Sequence, residues 1–170
     1  MKYPDILTKQ IDGLFCTDGI LNYDPGTRQL VYTYYYRNEF ILLDKNLNVI
    51  KTAHTIDTTS RAHIKVAKIN SDKSVTLASP PEFVNLRSSL SGNWLFIQSP
   101  VKAINEQEDE FANNSAIDIY NVSDNKYHFS IYIPDLNQKK ISAFQVHGKN
   151  LYVIQDKFLT IFRLNLPDLK

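Results

Sequence analysis

The chain has 170 residues and a formal net charge of +1, with 43% hydrophobic and 22% charged residues. This composition is that of a globular protein with a sizeable core, and it excludes disorder over most of the chain. The balanced charge argues against nucleic acid or an anionic membrane surface as the main partner, because both call for a basic excess. No stretch approaches the roughly 18 consecutive apolar residues of a transmembrane helix. The single cysteine, Cys16, excludes an intrachain disulfide.

The first recognisable unit covers residues 20–56 and has the residue types of β-strands. Aromatic and β-branched side chains favour strands, and four tyrosines fall in the run from Tyr32 to Tyr36. Turn residues such as Asp24-Pro25-Gly26 separate the apolar runs, which predicts a four-stranded antiparallel meander. The predicted strands are residues 20–23, 30–36, 40–44 and 49–56.

Two further units follow the same order, at residues 83–133 and 141–164. A polar stretch at residues 100–114 interrupts the second unit and is predicted as a loop with at most one helical turn. The third unit ends one strand short, and an additional hairpin is predicted within residues 63–78, with its turn at residues 70–73. The predicted strands are residues 83–90, 94–98, 116–122 and 127–133 in the second unit, and 141–146, 151–155 and 158–164 in the third.

The three units form a weak repeat whose middle strands are apolar on both faces. Such strands lie between two neighbouring sheets, and stacked four-stranded meanders of this kind are the blades of β-propellers. We therefore predict one all-β domain over residues 1–170, a partial β-propeller of about three blades, with Trp94 and Phe158 in the core. A β-sandwich, which also uses many short strands, is the alternative fold.

About three blades do not close a propeller, since propellers have roughly 4–8. The outer faces of the first and last blades would leave apolar surface exposed, so we expect a partner there. A second copy of the chain, forming a homo-oligomer with two-fold symmetry, or the missing half of a longer chain would supply it. Residues 5–7 are a candidate for the missing strand of the third unit.

Four segments support the same fold by resemblance: KQIDGLFCTDGIL, HTIDTTSRAHIKVAKI, LASPPEFVN and SGNWLFI, which begin at Lys9, His54, Leu77 and Ser91. They resemble the C-terminal half of a group of uncharacterised bacterial six-bladed β-propeller-like proteins, over residues 9–164. Because those relatives are about twice as long, the resemblance implies a half-length chain or an excised domain of a bacterial protein, and a leader on the missing half would make the parent an exported protein. It implies no catalytic residues, and the compartment stays open.

A cluster of polar residues lies in the connection after the first unit. His54, Asp57 and His63 offer nitrogen and oxygen donors, but their spacing matches no metal motif, so no metal and no cofactor are expected. A polar loop network with Asp57 paired to Arg61 is the alternative. The candidate ligand-binding residues are Asp18, His54, Asp57, Arg61 and His63.

Three functions remain open at this point. The first is a binding or scaffold module that takes a protein, peptide or glycan through its loops. The second is a propeller enzyme of the lyase or glycosidase type, although no Gly-rich phosphate loop, nucleophile elbow, HExxH or CxxC motif occurs. The third is an assembly piece whose exposed blade faces are the function. The acidic loop at residues 106–110 is an additional candidate contact region because of its length.

Overall fold

The computed structural model describes residues 5–69, 74–103, 106–166 and 169. Antiparallel strands make up nearly all of its regular structure. Besides them it contains a 3-10 turn at Phe15–Thr17 and one short helix, α1, at Glu108–Ala112. The strands are β1 Gly19–Asp24, β2 Gln29–Tyr34, β3 Glu39–Asp44, β4 Val49–His54, β5 Val66–Lys68, β6 Val75–Leu77, β7 Arg87–Ser91, β8 Trp94–Gln98, β9 Asn114–Asn121, β10 Lys126–Pro134, β11 Ala143–His147, β12 Asn150–Gln155 and β13 Phe158–Arg163.

Strands that follow one another in the chain are neighbours in each sheet. The first sheet has the order β1-β2-β3-β4, the second β7-β8-β9-β10 and the third β11-β12-β13, while β5 and β6 form a separate hairpin. These are the meanders that the sequence predicts, with boundaries shifted by a few residues. The predicted hairpin turn at residues 70–73 and the loop residues 104–105 lie outside the described residues.

The second sheet buries both of its faces, one against the first sheet and one against the third. Along β8, alternate side chains point to opposite faces: Leu95 joins a core cluster with Phe40 of the first sheet, whereas Phe96 joins a cluster with Leu151 of the third. Trp94 lies in that second cluster, so its predicted place in the core is confirmed. This double burial is why the middle strands are apolar throughout.

The first strands of the three sheets lie side by side, because β1 contacts β7 and β7 contacts β11. Polar side chains join them. Asn22 Nδ2 donates to Ser88 Oγ over 2.6 Å, and the backbone N–H of Val146 donates to Ser89 Oγ over 2.9 Å. Three meanders that meet at their first strands and stack face to face have the arrangement of propeller blades. The predicted fold class is therefore confirmed: the chain is all-β and propeller-like, with about three blades.

Two predictions about the ends of this array are wrong. Phe158 is 41% exposed, because β13 is the last strand of the third sheet and no described element covers it. Residues 5–7 do not complete the third sheet, because Ile6 and Leu7 instead pack on the outer face of the first sheet, against Ile41 and Leu43. The third sheet consequently keeps three strands within the described part of the chain.

Helix α1 lies in the long connection between β8 and β9, where the sequence predicts a loop with one helical turn. Lys140 holds its C-terminal end, since Nζ donates to the carbonyl oxygens of Phe111, Ala112 and Asn114 at 3.1, 2.9 and 2.7 Å. A cation is favourable at this end of a helix. Among the described residues no helix is long and apolar enough to cross a membrane.

Candidate functional site

A cleft of about 620 Å³ opens between the first and second sheets, at the end where β4 finishes. The connection after β4, residues 55–59, forms one wall. Residues of β9 and β10 that face the first sheet form the floor, and Ser99, residues 101–103 and Glu106 form the opposite wall. The cleft thus combines two blades with the long connection of the second.

A short chain of hydrogen bonds crosses the floor of the cleft. Asp118 of β9 and Ser130 of β10 are cross-strand partners, and Ser130 Oγ donates to Asp118 Oδ1 over 2.5 Å. The Tyr127 hydroxyl lies 2.9 Å from Ser130 Oγ. Asp118 is only 7% exposed, and burial raises the pKa of its carboxyl against the opposing bond from Ser130, with further contributions from Glu106 and Asp57. The floor therefore carries a buried carboxyl that is held in place by a hydrogen bond and whose charged form is destabilised by burial.

Two tyrosine rings, those of Tyr127 and Tyr132, line the cleft and are partly exposed. Burial raises the pKa of the Tyr132 phenol to about 12, and the nearby carboxylate of Glu106 raises it in the same direction. Behind the rings stands buried Tyr120, whose ring centroid is 5.8 Å from that of Tyr127. The phenol oxygen of Tyr120 accepts from the backbone N–H of Ile56 over 3.1 Å, which ties the floor to the first wall.

Acidic groups outnumber basic ones on the cleft walls. Asp57, Glu106 and Asp118 all line it, whereas Lys102 is the one basic residue among its described lining residues. The ammonium group of Lys102 forms an ion pair with Glu108 at 2.5 Å. The cleft is accordingly a negatively charged environment at neutral pH.

Asn38, nearly buried between β2 and β3, holds the first wall in position. Its side-chain amide donates to the carbonyl of Asp57 over 2.6 Å, and its backbone N–H donates to the carbonyl of Thr59 over 2.8 Å. The backbone N–H of Thr59 in turn donates to Asp57 Oδ1 over 2.6 Å. This is the turn chemistry that Asp and Thr supply in such connections.

All five candidates from the sequence belong to segments at the same end of the first sheet, but only Asp57 lines the cleft. His54 is exposed at the end of β4, with Nδ1 3.2 Å from the carbonyl oxygen of Asn38. His63 is also exposed, with Nδ1 3.3 Å from Glu82 Oε2. Arg61 is exposed and forms none of the ion pairs found in the described part of the chain, so the expected Asp57–Arg61 pair is not made.

Asp18 stands apart from the cleft, immediately before β1. Its carbonyl accepts from the backbone N–H of Tyr35 over 3.0 Å, and burial together with nearby Asp12 raises the pKa of its carboxyl. The following Gly19 is not in the left-handed backbone region. It is required for space, because a side chain there would collide with the Thr33 carbonyl oxygen. Within residues 5–69, 74–103, 106–166 and 169, no group of three or more His, Cys, Asp or Glu residues is arranged to hold a metal ion.

The sequence reasoning missed the floor of the cleft, namely Asp118, Ser130, Tyr127 and Tyr132. One signal was present: Asp118 interrupts the apolar run AIDIY, and an acidic residue inside a doubly buried strand is uncommon. Such a residue is either paired or functional. The tyrosines carried no comparable signal, because aromatic residues are ordinary in strands.

Replacing Asp118 with asparagine should stabilise the protein at neutral pH. Burial raises the folded-state pKa of Asp118 above the ordinary aspartate value of 3.8, so the cost of its charge is absent below that value and fully present above the folded-state pKa. The amide cannot ionise, yet it can still accept the bond from Ser130. We expect Asp118→Asn to unfold at a higher urea concentration than the parent at pH 7. Its free energy of unfolding should be larger by about 1.4 kcal/mol for each unit by which the pKa is raised. The advantage should disappear near pH 3.5.

Asp156→Asn is the matched control for this experiment. Asp156 is exposed in a turn with φ of 53°, a conformation that asparagine also tolerates. Its unfolding midpoint should follow the parent at both pH values. An Asp118→Asn advantage that does not change between pH 7 and pH 3.5 would contradict a raised pKa.

Comparison with known proteins gives no family. No family model and no curated protein matches the chain. Solved structures that resemble it are Hsv2 from Kluyveromyces lactis, with 9% identity and a TM-score of 0.44 over 88% of this chain and 35% of that chain, and Hsv2 from Kluyveromyces marxianus, with 9% identity and a TM-score of 0.45 over the same shares. Hydrazine synthase from Kuenenia stuttgartiensis shows 12% identity and a TM-score of 0.43 over 88% of this chain and 42% of that chain. The chain therefore spans well under half the length of these solved chains, and the likenesses assign it no activity, ligand or partner.

Proposed function

We propose that the protein is a propeller-like binding module whose ligand lies in the cleft between the first and second sheets. The cleft itself carries the proposal: a space of about 620 Å³ is lined by a buried carboxyl, hydroxyl groups and two tyrosine rings. Ligand sites in proteins have volumes of roughly 300–1,000 Å³ and place a few polar groups among apolar and aromatic ones. The size suits a small molecule or a short piece of a peptide or glycan.

Chemical-shift mapping tests this proposal directly. The uniformly ¹⁵N-labelled chain is titrated with short peptides, oligosaccharides and small amines. We expect at least one class to shift the backbone amides of residues 55–59, 116–118 and 130–132. Tyr127→Ala and Tyr132→Ala should remove these shifts, whereas Phe158→Ala, which changes an exposed aromatic residue away from the cleft, should keep them. A panel that leaves all cleft amides unperturbed would contradict a binding role for this site.

A second proposed function, assembly with a further blade, rests on the outer face of the third sheet. Cross-strand pairing places Ile154 opposite Leu159 and Tyr152 opposite Ile161, so these side chains share one face. Leu159 and Ile161 are 67% and 59% exposed, and β13 is the edge strand of the third sheet within the described part of the chain. Exposed apolar surface beside a free strand edge favours association.

The opposite end of the array has a comparable surface. Leu21 and Tyr23 on the outer face of the first sheet are both more than half exposed, beside the part that Ile6 and Leu7 cover. Apolar surface at both ends of the array calls for a neighbour at each end. We propose a second copy of the chain as the neighbour.

The solution mass, measured by light scattering on a sizing column, should be twice that of one chain. The double variant Leu159→Lys/Ile161→Lys should shift the population to monomer, because it places two charges in the apolar contact. Val75→Lys, on the exposed hairpin strand β6, serves as the control and should remain a dimer. A parent chain that is monomeric at the highest concentrations tested would rule out the second copy.

A further inference from the structure

We infer that the ligand of the cleft carries an alkylammonium group, as a polyamine or a lysine side chain does. This inference rests on the proposed function of the cleft and adds the chemistry of its ligand. The starting observation is the lining: the carboxylates of Asp57, Glu106 and Asp118 face one space, and the ammonium group of Lys102 is already paired with Glu108.

The second observation is that the buried carboxylate has no cationic partner. Asp118 is more than nine-tenths buried on the cleft floor and accepts a bond from Ser130. The ion pairs of the described residues involve Glu39, Glu82, Glu108, Asp124 and Asp135, and none involves the three cleft carboxylates. Burying a carboxylate without a cationic partner costs free energy. A cation that enters the cleft is therefore stabilised by forming the ion pair that Asp118 lacks.

The remaining lining suits an ammonium group on a carbon chain. Tyr127 and Tyr132 present aromatic rings to the cleft, and a cation near a ring face is attracted by its quadrupole. The apolar side chains of Val84, Val101 and Ala103 line the same space and can cover methylene groups.

The position of the carboxylates favours ammonium over guanidinium. Asp57 comes from the connection after β4, Glu106 from the segment before α1, and Asp118 from β9. A guanidinium prefers both oxygens of one carboxylate in a planar fork, whereas an ammonium group is a compact charge that a single oxygen can bind. Asp118 Oδ1 already accepts the bond from Ser130, so the floor carboxylate suits the ammonium group better. An anionic ligand would meet charges of its own sign.

The inference is tested by calorimetric titration of the intact chain with 1,5-diaminopentane and with Nα-acetyl-lysine methylamide. The matched neutral probe is 1,5-pentanediol, which has the same chain length without charge. We expect at least one amine to bind at least tenfold more tightly than the diol, with an affinity that falls as salt is raised. Tighter binding of the diamine indicates a free polyamine as the natural source, and tighter binding of the blocked lysine indicates a peptide side chain.

Asp118→Asn and Glu106→Gln should each weaken amine binding by tenfold or more. Glu82→Gln, which neutralises an exposed carboxylate outside the cleft, should bind as the parent does. Should one variant fail to fold, the other still tests the site, since Glu106 lies in a connection and Asp118 in a strand.

The outcomes separate this inference from the proposed function. Equal affinity for the diol and both amines, with shifts at the cleft amides, would overturn the ammonium inference and leave the binding cleft standing. Amine binding that neither variant weakens would place the cation elsewhere and overturn the inference as well. If no probe of any class shifts the cleft amides, the proposed function fails and the inference fails with it.

Discussion

Trp94→Ala is expected to lower the free energy of unfolding by about 3–5 kcal/mol, the usual cost of truncating a large aromatic residue in a core. Trp94 is 4% exposed and belongs to the cluster that joins the second sheet to the third. Its ring lies edge-on to that of His128, with centroids 5.0 Å apart. Removing the indole leaves a cavity where two blades meet, so the stacking of the whole array is affected.

Thermal unfolding followed by circular dichroism measures this change, because Trp94 is the only tryptophan and its loss removes the fluorescence probe. The expected fall in Tm is roughly 6–20 °C for a chain of this size. Phe158→Ala is the matched control: the same kind of truncation at an exposed position should cost less than about 1 kcal/mol. Equal losses of unfolding free energy for Trp94→Ala and Phe158→Ala would contradict the difference in burial between the two residues and the packing of the third sheet against Trp94.

The order of strands was predictable because it depends on local signals. Apolar runs of strand length are separated by turn residues, and the connections within the meanders, except the long one between β8 and β9, are short enough to force antiparallel neighbours. The continuous burial of β8 from Trp94 to Gln98 also follows from the sequence, since a run without polar alternation indicates cover on both faces.

The ends of the array were not predictable by the same means. Phe158 and Trp94 occur in equally apolar runs, and what separates them is whether another sheet packs outside the strand. Whether another sheet packs there depends on the assembled fold and cannot be seen in the sequence of a single strand. The same holds for Ile6 and Leu7, whose apolar character is compatible with a strand or with packing on the first sheet.

The candidate site was predictable only where turn chemistry marked it. Asp57 was selected because it begins a polar connection, and it does line the cleft. Asp118 was marked only as an acidic residue inside an apolar run, and Tyr132 carried no signal. That both line one cleft became visible only once the first and second sheets were stacked. Residues far apart in sequence, such as Thr55 and Ser130, then share one space.

Arg37 lies in a predicted turn, yet its side chain is buried and connects two parts of the structure. The sequence places Arg37-Asn38-Glu39 in a turn between strands, where arginine is normally exposed. In the structure Arg37 is 1% exposed, and its guanidinium lies 3.5 Å from the centroid of the Tyr34 ring. Both terminal nitrogens donate to the carbonyl of Thr8 over 3.0 Å, so one side chain fastens the N-terminal segment to the first sheet.

Arg37→Met should therefore destabilise the protein by about 3 kcal/mol, the lower end of the cost of removing one partner of a buried ion pair, because the Glu39 side chain is 20% exposed. Nη2 of Arg37 pairs with Glu39 Oε1 at 3.1 Å, and the carbonyl of Thr8 loses both of its donors from the guanidinium. Urea unfolding gives the magnitude. Cleavage by a protease within the first residues of the chain, measured in native buffer, should become faster, because the segment is no longer held.

Three further variants decide whether the ion pair or the geometry of the guanidinium is responsible. Arg61→Met, at an exposed arginine, should change the free energy of unfolding by less than about 0.5 kcal/mol. Arg37→Lys keeps the charge but loses the planar fork and the stacking on Tyr34, so it should fall between the parent and Arg37→Met. Arg37→Met/Glu39→Gln removes both charges and should recover part of the loss, since no carboxylate is left unpaired.

If Arg37→Lys is as stable as the parent, charge alone is sufficient and the bonds to Thr8 contribute nothing measurable. If the double variant recovers nothing, the loss comes from the released segment and not from Glu39.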